Sequence, residues 1–182
     1  PTYSMRALAF HEAIPGHHLQ NALNLENDDL SLYRRFGYYT SAFGEGWALY
    51  AERLSSEIGL TDNPYDELGV LQSELFRAVR LVVDTGMHFK RWTREEAIDY
   101  MKKITGMSDT EVTVEIERYI VWPGQACSYK VGMLKILELR EKAKQALGES
   151  FDIRDFHSVV LDHGEPPLFI VEELVNEMTS NR

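Results

Sequence analysis

Ser108-Asp109-Thr110-Glu111-Val112-Thr113-Val114-Glu115-Ile116-Glu117-Arg118-Tyr119-Ile120-Val121 is the stretch that decides the fold class. Val112 to Val121 is the best strand candidate in the chain, rich in β-branched residues. The four residues before it say otherwise. Ser108 followed three positions later by Glu111 is a capping box, in which each side chain accepts from the other residue's backbone N–H at a helix start. Thr93-Arg94-Glu95-Glu96 is a second box, opening a helix to about Lys103. Elsewhere strand-like alternation is short. The chain therefore reads as helix after helix, over about 3–14, 16–25, 28–36, 41–58, 64–91, 94–105, 109–120, 123–147, 152–162 and 167–179.

Breaks between these segments are well marked. Gly59 and Asn63-Pro64 separate two helices, Gly106 ends another, and Trp122-Pro123-Gly124 opens a long one that Gly148 closes. Gly164 with Pro166-Pro167 marks the last break. No Gly/Ser linker, repeat or low-complexity segment divides the chain, so residues 1–182 are expected to form one all-α domain. The chain opens on Pro1 without a charged-then-apolar leader. It is therefore expected to be processed, or to be the C-terminal catalytic part of something longer, and its compartment is not readable.

Composition narrows the function classes. The 182 residues are 44% apolar and 26% charged, an ordinary globular balance. Twenty-nine acidic against 19 basic residues give a net charge of -10, which argues against nucleic-acid or anionic-membrane surfaces. No apolar run approaches the roughly 18 residues of a membrane span. Cys127 is the single cysteine, excluding an internal disulfide and a cysteine-based zinc site.

The segment His11-Glu12-Ala13-Ile14-Pro15-Gly16-His17-His18-Leu19-Gln20 carries the chemistry. It approximates the zinc motif HExxH, in which two His one turn apart share a helix face and the Glu activates a water. Here the i+4 position is Pro15. On a regular helix His17 lies about 240° round from His11, and His18 about 10.5 Å further along the axis. Neither pair could reach one ion at about 2 Å. Pro15 removes a backbone donor and Gly16 relaxes steric limits. A bulge or break there is expected to absorb two extra residues and make the site. Some 28 residues beyond His17, Ala42-Phe43-Gly44-Glu45-Gly46-Trp47-Ala48-Leu49-Tyr50-Ala51-Glu52 places Glu45 on a helix face with Ala48, Leu49 and Glu52. An inward carboxylate needs a partner, and a cation is the natural one.

HEAIPGHHLQ followed by FGEGWALYAE resembles the bacterial domain of unknown function 885 family, and the resemblance continues through VVDTGMHFKRWTREEAI and PGQACSYKVG. That family in turn resembles the gluzincin metallopeptidases, whose zinc is held by two His of HExxH and a Glu on a following helix. The resemblance implies a Zn2+ site of His11, His17 and Glu45, with Glu12 as general base and a peptide as substrate. The two-residue expansion leaves His18 as an alternative to His17, although the family's Gly-His pair matches Gly16-His17.

Tyr129 lies on an apolar stripe with Ala126, Met133, Ile136 and Leu137. The resemblance makes it a candidate oxyanion donor; a buried core role is the alternative. Lys130 beside it is either a neighbour of the site or a carboxylate-paired side chain. Arg80, Asp84 and His88 recur every four residues, so Asp84 could bridge both neighbours. They are candidates for orienting a zinc-binding His, for holding a substrate carboxylate, or for an exposed ion-pair ladder. His157 and His163 are expected in surface or capping roles. The expected function is a zinc-dependent peptide hydrolase. A metal-binding domain without catalysis and a metal-free helical interaction module are the alternatives.

Overall fold

The computed structural model describes residues 2–180. Among these the regular elements are all helical. They are α1 (Met5–Glu12), α2 (His17–Glu26), α3 (Leu32–Phe36), α4 (Ser41–Glu57), α5 (Pro64–His88), α6 (Arg94–Thr105), α7 (Asp109–Val121), α8 (Gln125–Leu147), α9 (Ile153–Leu161) and α10 (Leu168–Ser180).

Both capping boxes form. In the first, Thr93 N–H donates to Glu96 Oε2 (2.7 Å) and Glu96 N–H to Thr93 Oγ1 (3.1 Å). In the second, Ser108 N–H donates to Glu111 Oε2 (3.0 Å) and Glu111 N–H to Ser108 Oγ (3.4 Å). α7 then buries Val112, Ile116 and Tyr119, a spacing of four and three that belongs to a helix face. Burial on that face outweighs the β-propensity of the sequence. The third helix is shorter than its expected span. Ser31 is its N-cap, accepting from Arg34 N–H, and the residues before it form a turn in which Asn27 Oδ1 accepts from Asp29 N–H.

α4 is central and buried on nearly every side; Phe43, Trp47, Ala48, Leu49, Tyr50, Ala51 and Glu52 are all buried. It crosses α8 at glycine-to-glycine contact. A Cβ on Gly132 would lie 1.9 Å from the Ala42 carbonyl oxygen, and one on Gly46 would lie 2.5 Å from Gly132 Cα. The main core forms there, where Trp47, Tyr50, Met133, Ile136 and Leu139 meet Phe156, Val160, Val171 and Val175 of α9 and α10. A second core joins α5, α6 and α7 through Val79, Val83, Met101, Val112 and Ile116. α1 packs against both α4 and α5, which sets His11 among them. No helix among the described residues is long and apolar enough to cross a membrane.

Candidate functional site

The helix breaks where the proline and glycine fall. α1 ends at Glu12, and its last bond runs from Ala13 N–H to the Ala9 carbonyl (2.9 Å). Residues 13–16 form a turn, after which His18 and Leu19 N–H both donate to the Ala13 carbonyl (3.1 and 3.3 Å). Trp47 Nε1–H of α4 donates to the Pro15 carbonyl (2.9 Å), pinning the turn to the central helix. Gly16 lies so close to the end of α1 that a Cβ would sit 1.9 Å from the His11 carbonyl oxygen and 2.3 Å from that of Phe10. Only glycine fits this contact.

The break brings three donors together. His11 Nε2 lies 3.5 Å and His17 Nε2 3.2 Å from Glu45 Oε2, and the three donor atoms are all within 4.8 Å of one another. The imidazoles meet edge to face with centroids 4.9 Å apart. Four-coordinate bonds of 2.0–2.2 Å separate adjacent ligand atoms by about 3.3–3.6 Å. The spacings of 3.5 and 3.2 Å to Glu45 lie near that separation, so these three side chains could hold a small cation. His18 is exposed and lies outside the cluster, so the grouped donors include His17 and not His18.

Glu52, on α4 seven residues after Glu45, holds His11 from behind. Its Oε1 accepts from His11 Nδ1–H at 2.7 Å, and the carboxylate is 1% exposed. That bond sets the orientation of the ring and turns Nε2 towards Glu45. Burial opposes charge on Glu45, but hydrogen bonds from His11, His17 and the Tyr129 hydroxyl, together with the His17 charge, hold it well below the usual carboxylate range. Burial likewise opposes charge on His11, and its bonds to Glu45 and Glu52 outweigh it and raise its pKa. Two carboxylates thus bracket one buried imidazole. A cation at Nε2 would replace the proton that the ring otherwise retains.

Tyr129 is buried and stacks on His11, with ring centroids 6.1 Å apart and planes 17° from parallel. It is both a core residue and a neighbour of the donor set. Glu12 is exposed at the end of α1, one residue beyond His11.

The other candidates do different work. Asp84 does not bridge Arg80 and His88. Both its oxygens accept from Gly124 N–H (3.2 and 3.0 Å), closing the start of α8. His88 Nε2–H donates to the Tyr119 carbonyl (2.9 Å), which ties the end of α5 to α7. Arg80 is buried; its Nε–H donates to Tyr119 Oη (2.7 Å) and Nη2–H to Glu115 Oε2 (2.8 Å), while its guanidinium covers the Tyr129 ring at 4.5 Å. This helix face packs against α7 and the turn into α8, so each side chain finds a tertiary partner instead of its helical neighbour. None of the three contacts a His of the cluster. Lys130 is carboxylate-paired, to Glu74 at 2.5 Å. His157 is half-buried and accepts from the Tyr50 hydroxyl (2.8 Å) beneath Arg140, and His163 Nδ1–H donates to the Val159 carbonyl (3.1 Å).

Sequence reasoning missed three residues. Glu52 lies within the quoted FGEGWALYAE stretch and on the Glu45 face, a signal that was there to use. Arg77, on α5, reaches within 4.0 Å of Glu52 Oε1. Glu165 is buried in the last interhelical turn, where it accepts from Gln20 Nε2–H of α2 (3.0 Å) and from Thr40 N–H before α4 (3.1 Å). Nothing in a Gly-Glu-Pro-Pro turn announces such a bracket.

Residues 1–175 match the family described as bacterial proteins of unknown function, DUF885, and the chain belongs to it. No curated protein matches it. Among solved structures it is similar to a protein of Colwellia psychrerythraea provisionally named a lipoprotein, at 54% identity and a TM-score of 0.97 over the whole chain. It is also similar to a provisionally named lipoprotein of unknown function from Shewanella oneidensis, at 31% identity and a TM-score of 0.87 over 94% of the chain. The chain spans 31% of the length of each of those proteins.

Proposed function

We propose that this chain carries the zinc centre of a hydrolase acting on peptide bonds, with His11, His17 and Glu45 as the ligands. The observation that supports this reading is the convergence of three donors whose orientation is fixed from behind by a buried Glu52–His11 bond. That is the support a metal-binding imidazole uses. Two nitrogens and one carboxylate, with no cysteine, suit zinc, and three protein ligands leave its fourth position open. A zinc ion bound there would polarise a substrate carbonyl and lower the pKa of water towards neutrality.

The chain's own residues do the rest. Glu12 follows His11 on α1 and points about 100° away, into solvent. It takes the proton of the attacking water and returns it to the leaving amine. Tyr129 offers its hydroxyl to the carbonyl oxygen as that atom gains charge.

Elemental analysis of protein loaded with zinc and then desalted is expected to give one zinc per chain. Glu12→Gln is expected to keep the metal and lose roughly 10²–10⁴-fold in turnover of a mixed peptide library. No bound metal would overturn the centre. Zinc without turnover in either protein would leave a metal-binding domain that does not catalyse.

A further inference from the structure

The helix that carries His17 is not anchored by an apolar face. Two residues of α2 are buried, and both are amides, Gln20 and Asn24. They follow His17 at spacings of three and four, so the face that presents the proposed ligand rests on polar side chains. Apolar contact is non-directional, whereas a hydrogen bond weakens steeply as its angle departs from the optimum. The setting of α2 therefore depends on what these amides bond to. Asn24 Nδ2–H donates to the Arg35 carbonyl of α3 (3.3 Å). Gln20 Nε2–H donates to Glu165 Oε1 (3.0 Å), and Gln20 Oε1 has no partner among the described residues. Glu165, buried in the turn between α9 and α10, also grips the start of α4. Its Oε2 accepts from Thr40 N–H (3.1 Å) and its carbonyl from the Thr40 hydroxyl (2.7 Å). A Cβ on Gly44, the neighbour of Glu45, would stand 3.6 Å from Glu165 Oε2 and 3.9 Å from Gln20 Oε1.

We propose that Glu165 is a positioning residue for the donor cluster, its two carboxylate oxygens spanning α2 and α4 and so setting His17 against Glu45. It touches neither metal nor substrate and acts through Gln20 and Thr40. Gln20 lies three residues from His17, and Thr40 five from Glu45. About 4.5 and 7.5 Å of chain, measured at the helical rise, separate each bonded group from its ligand, too little for a shift at Glu165 to be absorbed on the way. Two acceptor oxygens are needed because two donors face them. Alanine at position 165 cuts both arms. Glutamine keeps both once Gln20 turns its amide over and accepts from the introduced amide, leaving the other oxygen for Thr40 N–H. Both substitutions remove the charge, so the contrast between them isolates the bracket from simple electrostatics. This deepens the zinc reading above and rests on it for the bound ion, but not for the metal-free geometry.

Metal-free protein is compared first, by proton NMR. The wild type is expected to show cross-peaks between the His11 and His17 ring protons, whose centroids are 4.9 Å apart. Glu165→Ala is expected to lose them while keeping the low-field signal of His11 Nδ1–H, whose bond to Glu52 does not involve α2. Glu165→Gln is expected to keep both signals. Co2+ then serves as a visible probe of the donor set. Its affinity is expected to fall at least tenfold in Glu165→Ala and to stay within threefold of the wild type in Glu165→Gln, with the absorption band altered only in the former. If Glu165→Ala fails to fold, Gln20→Ala cuts the α2 arm alone and is read in the same two ways. Unchanged cross-peaks in the folded variant would overturn the proposal. So would equal losses in Glu165→Ala and Glu165→Gln, which would assign the effect to charge. Loss of the Nδ1–H signal along with the cross-peaks would mean general loosening and would overturn it too. A wild type that binds no metal ends the zinc reading, and the ring cross-peaks still decide this one.

Discussion

Replacing Gly16 by Ala tests whether the break between α1 and α2 builds the site. The added Cβ would stand 1.9 Å from the His11 carbonyl oxygen and 2.3 Å from that of Phe10. Carbon–oxygen contacts settle at about 3.3 Å, so the backbone must part by roughly 1.4 Å. Both neighbours are rigid main chain, one of them belonging to a proposed ligand. Overpacking of this kind costs about 1–3 kcal/mol, and a clash against two carbonyls belongs at the upper end. For a chain of this size that is a fall of about 6–12 °C in melting temperature. The effect on metal binding should be larger in proportion. Zinc distances tolerate about 0.2 Å, and the opening separates His11 from His17 by several times that. We expect zinc affinity to drop at least 100-fold, about 2.7 kcal/mol, in a competition titration against a chromophoric chelator. Melting of the metal-free protein gives the stability term separately. A variant that melts lower yet binds zinc within threefold of the wild type would refute the claim that this contact sets the donor spacing.

Three further outcomes follow from the geometry. Glu52→Gln keeps the shape but weakens the acceptor for His11 Nδ1–H, so zinc affinity should fall 10–100-fold with little change in the circular dichroism spectrum; unaltered affinity would show that the bond is incidental. Tyr129→Phe keeps the stack on His11 and removes the hydroxyl; kcat should fall about 10²–10³-fold at constant KM, whereas a purely packing role predicts no change in kcat. His157 is pushed down from 6.5 to about 4 by burial and by the Arg140 charge. The folded chain therefore refuses a proton that the unfolded chain binds between those pH values, and stability falls as pH drops from about 6.5 to 4. The loss is about 1–2 kcal/mol after allowance for partial solvent screening. Urea midpoints across that range should slope less in His157→Gln than in the wild type, and equal slopes would remove His157 as the cause.

The sequence by itself determined the helices and where they stop. Capping boxes, prolines and glycines act over three or four residues, so Ser108 and Glu111 could outvote a β-branched run without help from the rest of the chain. The incompatibility of Pro15 with a regular HExxH turn was equally local, and it located the break. The resemblance carried by HEAIPGHHLQ and FGEGWALYAE then pointed to His11, His17 and Glu45, with His18 left as the alternative. That His17 rather than His18 comes to lie beside His11 and Glu45 was a tertiary outcome, since it depends on how α2 leaves a turn pinned by Trp47 from another helix. Tertiary packing also reassigned Arg80, Asp84 and His88. Helical spacing made them neighbours, but α7 and the α7–α8 turn offered each a nearer partner. Glu52, Arg77 and Glu165 became legible as bracing groups only once distant segments met. Their partners lie 25 to 145 residues away, a separation at which local pattern carries no information.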